Sequence, residues 1–228
     1  MNTKYYKEMI QRFGWGKTVF GYAYEKAQLR FDAMMLKGLH LEFENLDKSY
    51  LSGPSKYSYG LLAADEMMVH CADPANQMTP EFVRMSARRG DRCYAIIDGD
   101  TLAAYSWYSY KPSAMDDNLT IHFDDRYCYT FKGFTRPEYR GEHLHGIAMA
   151  RAAQEIAAEG ALGLVSYVEA SNYRSLRSCD RMGYTSFGTI FVSSLGGRYY
   201  VSATRGCEKY GFWVEAQDKG ERLRPATV

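Results

Sequence analysis

Tyr127-Cys128-Tyr129-Thr130-Phe131-Lys132-Gly133-Phe134-Thr135-Arg136-Pro137-Glu138-Tyr139-Arg140-Gly141-Glu142-His143-Leu144-His145-Gly146 decides how the rest of the chain is read. Tyr127, Tyr129 and Phe131 alternate with Cys128, Thr130 and Lys132, which is the period of a strand. Pro137 has no N–H for a sheet ladder, so the strand ends before it. Arg140-Gly141 gives a tight basic turn. An Ala-rich segment from His143 to Glu159 follows, with high helix propensity and Gly160 as its stop. A strand running through a basic turn into a helix start presents unpaired N–H groups at the positive end of a helix dipole. That arrangement takes an anion, and phosphate is its usual occupant.

Composition narrows the class. The chain has 228 residues and 46% hydrophobic content, enough for one large core or a domain with an extension. Net charge is +1, from 28 basic and 27 acidic residues, which argues against broad binding to nucleic-acid backbone. No apolar run reaches membrane-span length and no signal-peptide core is evident, so no integral membrane segment is expected. The five cysteines are scattered, with no C-x-x-C pair. They read as reduced thiols in a cytoplasmic protein, with no disulfide framework and no metal site. The twenty tyrosines suit either a polar-aromatic pocket or ordinary core and surface positions.

The expected organisation is an N-terminal helical extension over 1–30, a main domain over 31–215 and a polar tail over 216–228. The extension has a break at Phe13-Gly14-Trp15-Gly16 and is basic at Lys4, Lys7, Arg12, Lys17, Lys26 and Arg30. It reads either as a docking surface or as a helix covering one edge of the core. Residues 31–43 read as the first strand, 45–60 as a loop, and 61–72 and 79–89 as a helix pair between the first and second strands. Thr79-Pro80 is a good helix start. Residues 92–110 form a hairpin around Asp98-Gly99. Strands are expected at 163–169, 185–192 and 199–204, with a helix after Asn172.

Thr135-x-Pro137-Glu138-Tyr139-Arg140-Gly141 and its small-residue helix resemble the acyl-CoA loop of the GNAT superfamily of N-acyltransferases. The matching positions are Arg140, Gly141, Glu142, His143, Leu144 and His145, followed by Gly146; histidines stand at both places where the family has small residues. Asn172-Tyr173-Arg174-Ser175, running on to Gly183-Tyr184, is similar to the family's following helix. The resemblance covers roughly 91 to 195. It implies an α/β fold with a mixed, mostly antiparallel central sheet, helices on both faces and a gap between the strands around 127–135 and 163–169. It implies acyl transfer from acetyl-CoA or another acyl-CoA to a primary amine of a small molecule. Arg89-Gly90-Asp91-Arg92-Cys93, with Trp107 in the next strand, also resembles bacterial acyltransferases found near envelope-polysaccharide or natural-product pathways.

The resemblance assigns donor binding to residues 140–146, with Asn172 and Ser175, and carbonyl polarisation to a main-chain N–H near Phe134 or Thr135. Gly133 marks either a bulge that frees such a group or a packing position. The base candidates are Glu169, His122, Asp124 and Asp125. The family's proton-donating tyrosine falls at Cys179, seven residues after Asn172. Cys179 is either a thiol acid or, with Leu176 and Met182 at helical spacing, one stripe of a packed face. Trp107, Tyr108, Tyr127 and Tyr129 are candidate pocket walls. No cysteine or serine has a recognisable base partner, so direct attack by the amine is expected. The alternatives are a long-chain donor on CoA or on an acyl carrier protein, and a non-catalytic acyl-CoA-binding module. A homodimer is compatible with the sequence.

Overall fold

The structure is a computed structural model and describes residues 3–217. Two helices come first, α1 (Thr3–Phe13) and α2 (Trp15–Phe31), broken at Gly14. They lead into β1 (Met34–Leu41), and β2 (Ser58–Ala63) lies beyond short helical turns. A 3-10 segment over Ala64–Ala72 and α3 (Pro80–Arg89) precede the hairpin of β3 (Arg92–Asp98) and β4 (Thr101–Ser109). Thr79 caps α3 as its type predicts, accepting from the Phe82 N–H. Short strands β5 (Ser113–Ala114) and β6 (Leu119–His122) follow, then β7 (Cys128–Thr135), α4 (Leu144–Ala158), β8 (Leu164–Glu169) and α5 (Tyr173–Arg181). The described chain ends with β9 (Thr185–Leu195), β10 (Arg198–Ala203) and β11 (Trp213–Ala216).

Eight strands form one sheet in the order β10-β9-β1-β8-β7-β4-β3-β2. Among the described residues only β7 and β8 run parallel in this sheet; its other pairs are antiparallel. Leu144, Ile147, Ala148 and Ile156 of α4 pack with Leu41, Tyr94, Ile96 and Cys128 on one face. Val83 of α3 packs with Cys93, Ala95 and Trp107 on the other. A second sheet, β11-β6-β5, covers the rest of that face through Leu119, Ile121 and Val214. The fold is the mixed, mostly antiparallel sheet with helices on both faces that the sequence leads one to expect.

Two readings need correction. Residues 61–72 are not one helix, because Gly60, Leu61 and Leu62 pair with Ala95, Tyr94 and Cys93 as an edge strand. The two helical segments therefore lie between β2 and β3. β1 is inserted between β8 and β9. The tail reading begins too early, since Ala216 pairs with Leu119 and the Gln217 N–H donates to the Asn118 carbonyl. Residues 218–228 of that tail lie outside the described residues. Among the described residues no helix is long and apolar enough to cross a membrane.

Candidate active site

The parallel pair β7–β8 is joined only at its start, Cys128 to Leu164 and Tyr129 to Val165. Ser166 Oγ then donates to the Thr130 carbonyl at 2.8 Å, and beyond that bond the strands part. The gap opens into a cleft of about 860 Å³. β7 does not run straight along it. Tyr105 pairs with Phe134 but Trp107 pairs with Phe131, so β7 carries an extra residue at Lys132-Gly133. Lys132 takes a left-handed φ of 46° there. A bulge of this kind withdraws main-chain groups from the ladder. Gly133 is also a packing position: a Cβ on it would lie 2.6 Å from His145 Cε1. Both readings of Gly133 therefore hold together.

The loop into α4 has the backbone that its glycine and histidine permit. Gly141 has φ 100° and His143 has φ 58°. The first intrahelical bond runs from the Ile147 N–H to the His143 carbonyl, so the N–H groups of Leu144, His145 and Gly146 have no acceptor within the helix. Tyr50 packs against Gly146, where a Cβ would meet its ring at 2.7 Å. Glu142 turns away from the cleft; it accepts from the Tyr57 hydroxyl at 2.7 Å and pairs with Lys56 at 3.3 Å.

Of the sequence-derived residues, Phe134, Thr135, Arg140, His145, Glu169, Asn172, Ser175, Cys179 and Tyr129 line the cleft. Asn172 caps α5 by accepting from the Ser175 N–H at 3.1 Å. Burial holds the His145 ring below the ordinary histidine pKa, so it is neutral at pH 7. Burial pushes the Cys179 thiol up to about 11. Cys179 and Met182 belong to the core under α5, and Leu176 packs against it. A thiol in that range loses its proton to a CoA thiolate only uphill.

Other candidates stand elsewhere. His122 is on β6, stacked on Trp213 at 4.1 Å and bonded to Glu215 at 2.8 Å. Asp124 is clamped by Arg126, which holds its carboxyl down at about 2. Asp125 is exposed in the same turn. The chain reverses here, where the Asp124 N–H donates to the Tyr210 carbonyl, so β6 joins the small sheet and does not lead into the cleft. Trp107 lies behind the wall, edge-on to Phe82 and beside Phe131. Tyr127 packs on Tyr210 and His40, and Tyr108 is buried in the core beneath α4.

The sequence reading missed Lys132, Arg174, Tyr167, Tyr24 and Gln28. Lys132, Arg174 and Tyr167 line the cleft. Burial lowers the pKa of Lys132, whose Nζ lies 4.5 Å from the Phe82 ring centre. Arg174 was visible as a basic residue beside Asn172. Tyr24 and Gln28 of α2 both donate to Glu169 Oε1, Tyr24 at 3.0 Å. No local pattern announces that contact. The cleft thus holds three cations, Lys132, Arg140 and Arg174, with Glu169 among them. Such a balance favours an anionic ligand.

A tandem GNAT protein from the clavulanic acid biosynthesis pathway, solved without AcCoA, superposes with a TM-score of 0.52 at 14% identity, covering 80% of this chain and 58% of that one. The fold is that of the GNAT superfamily. A putative acetyltransferase of the GNAT family from Novosphingobium aromaticivorans matches at TM-score 0.47 and 16% identity, covering 82% of this chain and 67% of that one. A GCN5-related N-acetyltransferase from Kribbella flavida matches at TM-score 0.47 and 17% identity, covering 78% and 65%. The chain therefore spans 58% to 67% of the length of these GNAT-fold structures. No family model and no curated protein matches the sequence.

Proposed function

We propose that the cleft binds an acyl-CoA and transfers its acyl group, acetyl in the simplest case, to the primary amine of a small molecule. The observation that carries this reading is the bulged parting of β7 from β8 beside the start of α4. On this reading main-chain N–H groups serve one cleft at two levels. The α4 N–H groups, with Arg140 and Arg174 nearby, suit a diphosphate. A main-chain N–H at the Lys132–Phe134 bulge suits the oxygen of a thioester carbonyl, where charge grows in the transition state.

Glu169 takes the proton of the acceptor ammonium, directly or through water. The free amine attacks the thioester carbon, the N–C bond forms, the C–S bond breaks, and the nitrogen gives up its second proton to solvent as it becomes the amide. The thiolate leaves and takes a proton from solvent, because Cys179 holds its own too tightly. The amide product carries no acyl-enzyme history.

Thermal-shift screening against CoA esters of graded chain length tests the donor site. A ligand selective for the folded state raises the melting temperature. Arg140→Glu should abolish that rise. A rise that survives the substitution would remove Arg140 from the donor site, and no rise with any ester would remove the donor.

A further inference from the structure

We infer that α2, outside the part of the chain that resembles an acyltransferase, completes the active site: Tyr24 and Gln28 are positioning residues that hold the Glu169 carboxylate by one oxygen and present the other to the acceptor amine. The inference rests on the acyl-transfer reading of the cleft and on Glu169 as its base.

The contact spans 145 residues of sequence. Tyr24 is 7% exposed and its hydroxyl is used twice. It accepts the Met35 N–H at 2.6 Å and donates to Glu169 Oε1 at 3.0 Å. Accepting from the main chain fixes where the hydroxyl proton points, and burial keeps that proton in place by raising the phenol pKa. Gln28, one turn further along α2, donates to the same oxygen. Both bonds end on Oε1, which leaves Oε2 to accept from an ammonium.

The surroundings fit an anchored element. The Tyr173 hydroxyl of α5 donates to the Lys17 carbonyl at 3.1 Å near the start of α2. At its other end, Gln28 lines a separate cavity with Asp116, Asp117 and Asn118. α2 thus reaches from α5 to the 116–118 loop past the end of β8. The charged and titratable groups facing the cleft with Glu169 are Lys132, Arg140, Arg174, His145, Tyr129, Tyr167 and Cys179. Tyr167 feels both Asp116 and Glu169. None of these replaces the two donors on Oε1.

Three full-length variants test the inference: Tyr24→Phe, Gln28→Met and Glu169→Gln. Each keeps side-chain volume and the helix. Turnover is measured over a panel of primary amines, and the Glu169 carboxyl is followed by carbon NMR in labelled protein, assigned through its loss in Glu169→Gln. Removing a donor from Oε1 changes the surroundings of that carboxyl, so its chemical shift should move in Tyr24→Phe and in Gln28→Met. A displaced base should lower kcat roughly tenfold to a hundredfold while KM for the CoA ester holds. A merely structural role would move neither the carboxyl signal nor kcat apart from KM. An unmoved signal in both variants beside an inactive Glu169→Gln overturns the tether alone. Wild-type turnover by Glu169→Gln overturns the base, and the signal still reports whether the contact exists.

Discussion

Gly133 and His145 meet face to face across the cleft floor, one on the β7 bulge and one in the first turn of α4. A Cβ on Gly133 would lie 2.6 Å from the imidazole Cε1 and 3.3 Å from Ser106 Oγ. Gly133→Ala should therefore cost about 1–3 kcal/mol through overpacking. In a His145→Ala background the same change should cost far less, a coupling on the order of 1 kcal/mol. Urea unfolding of the four proteins measures it, and additive costs would refute the contact. His145→Ala should also widen the cleft and enlarge the CoA-ester thermal shift.

Glu142 stands close to the proposed diphosphate site, neutralised by Lys56 and fixed by Tyr57. Glu142→Gln keeps an acceptor for the tyrosine and removes one negative charge. CoA affinity should rise a few-fold as screened repulsion is relieved. Lys56→Ala should weaken it. Calorimetric titration at low and moderate salt reads both, and an unchanged affinity in Glu142→Gln would count against the site.

Arg136 is buried where β7 ends. Its Nε donates to Asn76 Oδ1 at 3.0 Å and to the Leu102 carbonyl at 2.9 Å, and its guanidinium pairs with Asp73. Arg136→Met leaves those acceptors unpaired and should cost about 2–3 kcal/mol. A melting temperature within a degree or so of wild type would show that the network contributes little.

His40 is 4% exposed, with Nδ1 against the Tyr210 hydroxyl at 3.1 Å. Burial chiefly holds its pKa below the ordinary value, against an opposing pull from Glu42, with Lys209 adding a lesser push downward. The fold keeps it neutral, while the unfolded chain takes up the proton near pH 6.5. Stability should be flat above that pH and fall below it, by at most about 1.4 kcal/mol per pH unit for one such group. His145 acts in the same direction. Melting curves between pH 8 and 5.5 check the sign, and His40→Gln should flatten the fall. A melting temperature that rises on acidification would contradict it.

The strand, turn and helix over 127–159 were legible because a period of two gives way to an Ala-rich run at a proline. Thr79-Pro80 and Asp98-Gly99 were legible because capping and tight turns are local chemistry. Residues 58–63 were not, since a short apolar run suits an edge strand as well as a helix. His122 and Asp124 looked close to the cleft in sequence, but a chain reversal near Asp124 carries them to another sheet. The hold of Tyr24 and Gln28 on Glu169 depends on tertiary placement and leaves no periodic trace. The left-handed backbone of His143 lay between the two cases: its residue type allows it, but only the turn requires it.

β1 has hydrogen-bonded neighbours on both sides, Leu164 opposite Leu41 and Val192 opposite Met34. β1 must therefore wait, with both margins bare, for partners that lie far along the sequence. Such long-range pairing slows assembly and leaves a sticky intermediate for chaperones to shield. Removing the chain through Leu41 would not trim the sheet at a border. It would split it, parting β9 and β10 from the five strands on the cleft side.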